Sequence, residues 1–274
     1  MPPRGEELSS AGGRPPLRVF YPKGAPAAHF EEVVAAHERN IARGENELKK
    51  GVVTRVPYGD AQAAVKHYAT EGWSGRAKEF CRISRLWRAW RGIQRLREAG
   101  MPVPELLAVL RCGGKGYLVT RYLEGTTPLH EWLSKPVGGD PAVANPQDRD
   151  ALVGEFGAWL RSLHDKGIYH DDWSAKNFRV GVEAGHRVFY IVDFESVSAW
   201  KWWWRRRRRR AKNLAQVLGP LPMVEGPVRD RLLAAYAAGK AAFLTGRFRR
   251  RVEKLLGARV KRSLEQRKRQ AAKR

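Results

Sequence analysis

Cysteine is scarce in this chain, with only Cys81 and Cys112 among 274 residues. The two lie too far apart in sequence to form a short metal-binding motif. No secretory leader is evident in the sequence, and such sparse cysteine usage suits a reducing cytoplasm better than an oxidising exterior. We therefore expect both cysteines to be buried apolar residues or bystanders.

Long apolar runs are absent as well. A bilayer-spanning helix needs about 20 predominantly apolar residues, and no stretch of the sequence approaches that length. The segment Met1–Pro26 is rich in proline and glycine and lacks the apolar core of a signal peptide. The expected protein is soluble or peripheral to a membrane.

Acidic residues are in short supply relative to basic ones. Asp and Glu number 28 against 52 Lys and Arg, which gives a formal net charge of +24. Such a surface attracts polyanions, whether nucleic acid, nucleotide phosphates or anionic lipid, without naming a chemistry. The hydrophobic content of 43% is enough to bury a sizeable core in one large domain or two lobes.

The first half of the chain has the pattern of a sheet with helices. Residues Met1–Pro26 predict a flexible leader, with order beginning near Ala27. Gly51–Val56 and Ala63–Tyr68 predict a β-hairpin around the turn Pro57–Asp60. The other predicted elements here are a helix over Phe30–Lys50, a basic helix over Arg76–Ala99 closed by Gly100, and strands around Glu105–Val109 and Tyr117–Tyr122.

The second half turns helical. Helices are predicted near Pro128–Leu133 and over Arg149–Lys166, separated by a polar loop over Lys135–Gln147. Strands first and helices later predict an α+β fold of two lobes, residues 27–124 and 125–258, joined near Glu124-Gly125. The basic segment Arg259–Arg274 is expected to be a solvated helical extension or a frayed tail.

One constellation of polar residues carries chemistry. The sequence His170-x-Asp172-x4-Asn177 is followed, about 20 residues on, by Asp193-Phe194 at the end of an apolar strand. This is the spacing of a kinase catalytic loop and its metal-binding segment. Asp172 would orient the acceptor hydroxyl, while Asn177 and Asp193 offer the hard oxygen ligands that Mg²⁺ prefers. His170 is expected to brace the loop.

A third element lies upstream in the chain. Ala64-Val65-Lys66 ends a strand-like segment in the manner of the strand lysine of kinases, which grips the α- and β-phosphates of ATP. Alone the tripeptide is a weak signal, because a lysine at a strand end is usually only solvated. Its order ahead of Asp172 and Asp193 makes the set informative.

On these residues the chain resembles the lipopolysaccharide kinase family, the heptose and Kdo kinases of the lipopolysaccharide core, within the protein-kinase-like fold. The resemblance rests on Ala64–Lys66, on Leu96–Pro104, and on His170–Asn177 with Val192–Phe194. It implies a small β-rich N-lobe and a larger helical C-lobe, with ATP and Mg²⁺ as donor and cofactor. It also implies a glycolipid sugar hydroxyl as acceptor and a location on the cytoplasmic face of the inner membrane.

Departures from the kinase pattern are equally specific. The region of the phosphate loop offers only Gly51 and Gly59. The basic helix offers Glu79 near its start as a candidate partner for Lys66, while Arg82–Arg97 contains no acidic residue. Ser174 stands where protein kinases place lysine, which favours a glycan or small-molecule acceptor over a protein. Glu195 follows Phe194 in place of glycine, so a protein-kinase-style switch of this segment is not expected.

Two alternatives to a glycolipid kinase stay open at this stage. The chain could phosphorylate a protein or another small molecule. It could also be a pseudokinase or basic scaffold that binds RNA or membrane without turnover, although a pure binding module has no reason to keep Lys66, Asp172, Asn177 and Asp193 together.

The run Trp200–Arg210 contains four tryptophans and six consecutive arginines. Aromatic residues favour the lipid headgroup zone and arginines favour anionic lipid, so the run predicts a membrane-binding foot. The same composition also fits nucleic acid binding. A third interpretation has the tryptophans in the core and a helix continuing through Ala211–Leu218. Because six arginines cover every face of a helix, at least one is expected to lie against the body with an acidic partner.

Overall fold

A computed structural model of the chain describes residues 6–8, 17–21, 27–69, 81, 83–134, 146–199, 203–219, 226–238 and 246–271. The chain forms two compact units, Met1–Gln94 with Val103–Glu124 and Arg95–Pro102 with Gly125–Arg274. No helix within the described ranges is both long enough and apolar enough to cross a bilayer.

The first unit is built on an antiparallel sheet whose seven described strands follow the order β1-β2-β6-β7-β5-β4-β3. Its elements in chain order are β1 (Glu6–Leu8), β2 (Leu17–Tyr21), α1 (Ala27–Arg43), β3 (Glu47–Lys49), β4 (Val53–Tyr58), β5 (Ala61–Ala69), β6 (Leu106–Cys112) and β7 (Lys115–Arg121). The helix α2 (Arg85–Glu98) follows β5 in the chain.

The hairpin predicted around residue 59 is confirmed. Strands β4 and β5 pair antiparallel from Val53 opposite Lys66 to Tyr58 opposite Ala61. The two turn residues include Gly59, whose φ of 60° is the left-handed conformation that glycine adopts without strain. Along β5 the alternation of side chains buries Ala63 and Val65 in the core.

The expectation of a flexible leader over Met1–Pro26 is wrong for two segments. Strand β2 pairs with β6, where Val19 lies opposite Leu110, and β1 pairs with β2. Leu17 is buried in the core of the first unit. These strands are short and lie among prolines and glycines, so their order depends on the neighbouring strand β6, which local sequence does not reveal.

Helix α2 is shorter than predicted, since it begins at Arg85, and the predicted start at Arg76 falls outside the described residues. Its end is as expected. Gly100 has a φ of 60°, and the N–H of Met101 donates to the carbonyl of Leu96 at 2.9 Å. This is a glycine-terminated helix end that satisfies the last carbonyls.

The second unit is mostly helical. Its elements are β8 (Thr127–Pro128), α3 (Leu129–Ser134), α4 (Pro146–Asp165), β9 (Ile168–His170), a 3-10 helix (Ala175–Asn177), β10 (Phe178–Glu183), β11 (His186–Ile191), a second 3-10 helix (Phe194–Ser196), β12 (Val197–Ala199), α5 (Trp203–Leu218), α6 (Gly226–Ala237) and α7 (Gly246–Ala271). Strands β10 and β11 form a sheet with β8, while β12 pairs with β9.

Close helix packing and an aromatic cluster support this unit. A Cβ atom at Gly157 of α4 would lie 2.7 Å from the carbonyl oxygen of Leu232, so glycine allows α4 and α6 to approach closely. Phe156 of α4 meets Phe178 and Phe189 edge-on or tilted, with ring centroids 5.4 and 5.3 Å away. The cluster fixes the β10–β11 hairpin against α4, and that hairpin carries the candidate site at its open end.

Candidate active site

Asp172 and Asn177 lie close together in the loop between β9 and β10. Strand β9 ends at His170, and the 3-10 helix Ala175–Asn177 turns the chain back toward Asp172. The side-chain amide of Asn177 donates to the backbone carbonyl of Asp172 at 2.9 Å and approaches its carboxylate Oδ2 at 3.4 Å. Asp172 is exposed, so its carboxylate is accessible to an acceptor.

The hairpin β10–β11 brings Asp193 to the same end. Phe178 lies opposite Ile191, and the N–H of Val192 donates to the carbonyl of Asn177 at 3.0 Å. Asn177 immediately precedes one strand and Asp193 follows the other, so an antiparallel pairing places both at the open end. The structure therefore brings together three of the predicted site residues.

His170 connects the two segments, as its predicted bracing role requires. Its Nδ1 accepts a hydrogen bond from the backbone N–H of Asp172 at 3.1 Å, and its Nε2–H donates to the carbonyl of Asp193 at 2.6 Å. The ring is buried, and burial lowers the pKa of His170 more than the Asp193 carbonyl and the nearby carboxylates raise it. A neutral imidazole with this tautomer satisfies both bonds.

Helix α5 holds the loop through two buried amides that sequence reasoning missed. The amide of Asn213 donates to the carbonyl of His170 at 2.7 Å, and that of Gln216 donates to the carbonyl of Asp171 at 2.6 Å. The Nε2–H of His164 donates to Asn213 Oδ1 at 3.2 Å. The sequence carried a partial signal: Asn213 and Gln216 are spaced i, i+3 in the segment Ala211–Leu218, whose other residues are mostly apolar.

The arginine run lies partly against the body, as predicted from its length. Arg210 is buried and donates to the carboxylate of Asp165 and to the carbonyl of His164, both at 2.9 Å. Arg209 pairs with Asp171 at 2.5 Å. Burial raises the pKa of the Asp165 carboxyl, but hydrogen bonds from Arg161 and Arg210 outweigh it and hold the pKa below its usual value.

These ion pairs correct the proposed extent of the membrane foot. Arg209 and Arg210 bind acidic residues of the second unit, namely Asp171 in the loop after β9 and Asp165 at the end of α4. Arg207 and Arg208 are exposed. Trp200, Lys201 and Trp202, together with the side chains of residues 203–206, lie outside the described part of the structure.

Lys66 belongs to the first unit. It lies on β5 between Val53 of β4 and Leu118 of β7, and its ammonium lies 5.2 Å from the ring centroid of Tyr68. Only 8% of Lys66 is exposed. Because side chains alternate along a strand, Lys66 and its neighbour His67 lie on opposite faces of β5. Gly51, in the turn before β4, donates its N–H to the Glu47 carboxylate at 2.7 Å.

Glu79, predicted as the partner of Lys66, falls outside the described residues. The pairing therefore stays a prediction. Within the described ranges, the site consists of Asp172, Asn177 and Asp193 in the second unit, with His170, Asn213 and Gln216 holding their backbone.

Known proteins resemble this chain in sequence and in fold. A 3-deoxy-D-manno-octulosonic acid kinase of Actinobacillus succinogenes is 28% identical over 144 residues, which make up 48% of this chain and 56% of that kinase. The chain thus matches little more than half the length of that relative. A solved structure of WaaP in complex with acyl carrier protein aligns with a TM-score of 0.51 and 20% identity, covering 74% of this chain and 84% of that one.

The structural likeness supports the protein-kinase-like fold, with an antiparallel sheet in one unit and helices in the other, as the sequence predicted. The sequence profile of the lipopolysaccharide kinase (Kdo/WaaP) family matches residues 45–230, more than half of the 274 residues. That range begins before β4 and ends in α6, so it includes Lys66, Asp172, Asn177 and Asp193. The chain belongs to the lipopolysaccharide kinase (Kdo/WaaP) family.

Proposed function

We propose that this chain transfers the γ-phosphoryl group of ATP to a sugar hydroxyl of the lipopolysaccharide inner core, on heptose or Kdo. The observation that carries the proposal is the contact of Asn177 with Asp172 beside Asp193, in a chain of this family. The Kdo kinase activity named for the relative from Actinobacillus succinogenes supports the sugar acceptor.

Asp172 would act on the acceptor. Asn177 occupies the side of Oδ2, while Oδ1 has no hydrogen-bond partner within the described part of the chain. An acceptor hydroxyl donating to Oδ1 would be oriented toward the γ-phosphorus. As the new O–P bond forms, the bond from phosphorus to the bridging oxygen breaks, ADP leaves, and the hydroxyl proton passes to the Asp172 carboxylate.

Asn177 and Asp193 fit a magnesium ion by donor chemistry. The Asn177 amide nitrogen faces Asp172, which leaves Oδ1 as the end that can coordinate, and Asp193 supplies a half-buried carboxylate. Amide and carboxylate oxygens are the hard ligands that Mg²⁺ takes alongside phosphate oxygens. When bound, the ion would neutralise charge on the β- and γ-phosphates. Lys66 is proposed to bind the α- and β-phosphates, with Glu79 as its partner.

The proposed place of action is the cytoplasmic face of the inner membrane, where the sugar of a membrane-embedded glycolipid is reached from the surface. The exposed Arg207 and Arg208, with the tryptophans that precede them in sequence, are the proposed contact to anionic lipid. Phosphates and carboxylates of the core glycolipid itself offer further partners for arginine.

The deciding experiment is phosphoryl transfer from γ-labelled ATP to purified core glycolipids ending in Kdo or in heptose, with the product mass measured. Wild-type protein should add one phosphate to one of these acceptors. Asp172→Ala should lower kcat by about 10²–10⁴-fold with ATP affinity retained, because it removes the group that takes the proton. Asp193→Ala should weaken Mg·ATP binding instead.

Asp171→Ala is the matched control. Its carboxylate pairs with Arg209 at the surface, so the loss should cost about 1 kcal/mol or less and leave kcat within about tenfold of wild type. Normal turnover by Asp172→Ala would remove the catalytic assignment. A wild-type chain that binds ATP but phosphorylates no acceptor would support the kinase fold without turnover. Mass spectrometry of core glycolipid from a deletion strain should show the loss of one phosphate.

A further inference from the structure

A second cluster of ligating side chains lies within the first unit, apart from the proposed kinase residues. His37 and Glu38 come from helix α1 and His67 comes from strand β5, next to Lys66 but on the opposite face of the strand. One potential ligand atom from each of the three lies within 4.8 Å of the others. His37 is fully buried, while His67 and Glu38 are partly exposed.

The contacts of this cluster aim the two rings at each other. The Nε2 atom of His37 lies 2.9 Å from Nδ1 of His67, and Nδ1 of His37 lies 2.8 Å from the hydroxyl of Thr54. The Glu38 carboxylate accepts from Lys115 Nζ at 2.7 Å and from the hydroxyl of Tyr117 at 3.0 Å. Two facing imidazole nitrogens beside a carboxylate form a donor set of two nitrogens and one oxygen.

We propose that His37, His67 and Glu38 bind a late first-row divalent cation of the Zn²⁺ class. Imidazole donors favour zinc, copper or nickel over Mg²⁺, and two histidines with one carboxylate form a recurrent zinc ligand set with a fourth position for water. This chemistry differs from that of the Asn177 and Asp193 oxygens. The two proposed sites therefore select different metals.

The two imidazoles need only a small adjustment, while the Glu38 carboxylate has to turn toward the metal from its bonds to Lys115 and Tyr117. With metal–nitrogen bonds of about 2.0–2.1 Å in a tetrahedral site, two ligand nitrogens lie about 3.3 Å apart. The observed separation of 2.9 Å between His37 and His67 must widen by about 0.4 Å. With its proton on Nδ1, His37 donates to the Thr54 hydroxyl, and this bond orients the ring so that Nε2 is the atom that binds the metal.

Protons and charges are compatible with binding. Burial lowers the pKa of His37 to about 4 and also lowers that of His67, so both rings are neutral at pH 7. His67 needs only to carry its proton on Nε2. Burial raises the pKa of Glu38, but hydrogen bonds from Lys115 and Tyr117 outweigh it and keep the carboxylate ionised. Lys115 is 41% exposed, so the metal can displace its ammonium toward solvent.

Metal binding here would tie helix α1 to the strand that carries Lys66. Because a ligand that binds only the folded state stabilises it, Zn²⁺ should raise the unfolding temperature of the chain. Mg²⁺ at the same concentration should not reproduce that increase through this cluster, since its preferred ligands are oxygens.

The test uses the full chain, stripped with a chelator and dialysed against Zn²⁺, with bound metal counted by mass spectrometry and Co²⁺ used as a visible-absorption probe. One Zn²⁺ per chain is expected. His67→Gln and Glu38→Gln should each abolish tight binding, and Thr54→Val should weaken it by about 10–100-fold through the loss of ring orientation. His37 is left intact because its complete burial makes a variant there prone to misfold.

Three controls separate this cluster from other metal binders. Asp193→Ala should keep full Zn²⁺ binding, and His186→Gln removes an exposed histidine of the second unit without effect. A variant with Cys81→Ser and Cys112→Ser should also keep the site, which excludes thiolate ligation. Zn²⁺ binding that is absent in wild type, or that persists unchanged in both His67→Gln and Glu38→Gln, would overturn the proposal.

Discussion

His170 shows how one buried side chain can set the relative position of two proposed functional carboxylates. One ring nitrogen accepts from the backbone of Asp172 and the other donates to the backbone of Asp193. A single neutral tautomer satisfies both bonds, so the ring transmits position and does not need to exchange a proton. Its role is that of a positioning residue.

Replacing His170 with phenylalanine keeps an aromatic ring but removes the hydrogen bonds to the Asp172 N–H and to the Asp193 carbonyl. We expect kcat/KM to fall about 10–100-fold, as for other outer-shell partners, with a weaker apparent affinity for Mg²⁺. Nucleotide affinity measured without Mg²⁺ should change little. Steady-state kinetics over a magnesium titration check this, with His186→Phe, at an exposed histidine, as the control. If the magnesium dependence is unchanged, His170 contributes only to packing and does not position Asp172 and Asp193.

At the level of residues, sequence reasoning found the groups whose spacing along the chain is fixed. Asp172 and Asn177 lie in one loop, and the β10–β11 hairpin brings Asp193 back beside them. Local chain connectivity alone therefore places the three residues together. Asn213 and Gln216 were missed because their partners are backbone carbonyls more than 40 residues away. Only a tertiary contact selects such partners.

Helix α5 divides its arginines between the interior and the surface. Arg210 reaches Asp165, which Arg161 also binds at 2.7 Å, while Arg207 is exposed three residues earlier in the same helix. Both residues are arginines of the same helix, but Arg210 is buried whereas Arg207 is exposed. The pair therefore offers a matched measurement of what burial does to an arginine.

We expect Arg210→Ala to lower the free energy of unfolding by about 2 kcal/mol, because Asp165 is partly exposed and keeps Arg161 as a partner. The substitution removes a buried hydrogen-bond partner of the Asp165 carboxylate and of the His164 carbonyl, and such losses are costly inside a protein. Arg207→Ala should change it by about 0.5 kcal/mol or less, as surface substitutions do. Urea unfolding followed by circular dichroism checks both. Equal effects from the two variants would contradict the division of roles in α5.

At the level of elements, regular local patterns were predictable and context-dependent ones were not. The β4–β5 hairpin and helix α4 follow from alternation, a glycine turn and helical periodicity within their own segments. Strand β2 depends on the edge presented by β6, far along the chain, and its own composition indicated a flexible leader. The arginine run predicted an inward-facing arginine from helix geometry alone, although which one was inward required the fold.

The molecule as a whole carries a net charge of +24, and this complicates any claim for a local lipid-binding surface. A strongly basic protein binds anionic vesicles wherever its exposed lysines and arginines lie. Arg250 and Arg251 of helix α7 are exposed, as are Arg207 and Arg208 of α5. Two double variants with the same net charge can therefore separate a local foot from bulk charge.

We expect the variant with Arg207→Ser and Arg208→Ser to bind phosphatidylglycerol-containing vesicles about 30-fold more weakly than wild type at low salt, since each arginine near the surface contributes about 1 kcal/mol. The variant with Arg250→Ser and Arg251→Ser should lose several-fold less. Vesicle sedimentation at about 0.01 M and about 0.15 M salt checks this, because the Debye length shrinks from about 30 Å to about 8 Å and should reduce both effects. Equal losses in the two variants would mean that net charge alone explains the binding. Retained binding to phosphatidylcholine alone would exclude an electrostatic foot.

Displacement from vesicles by single-stranded RNA with the same dependence on Arg207 and Arg208 would favour nucleic acid as the partner of this surface.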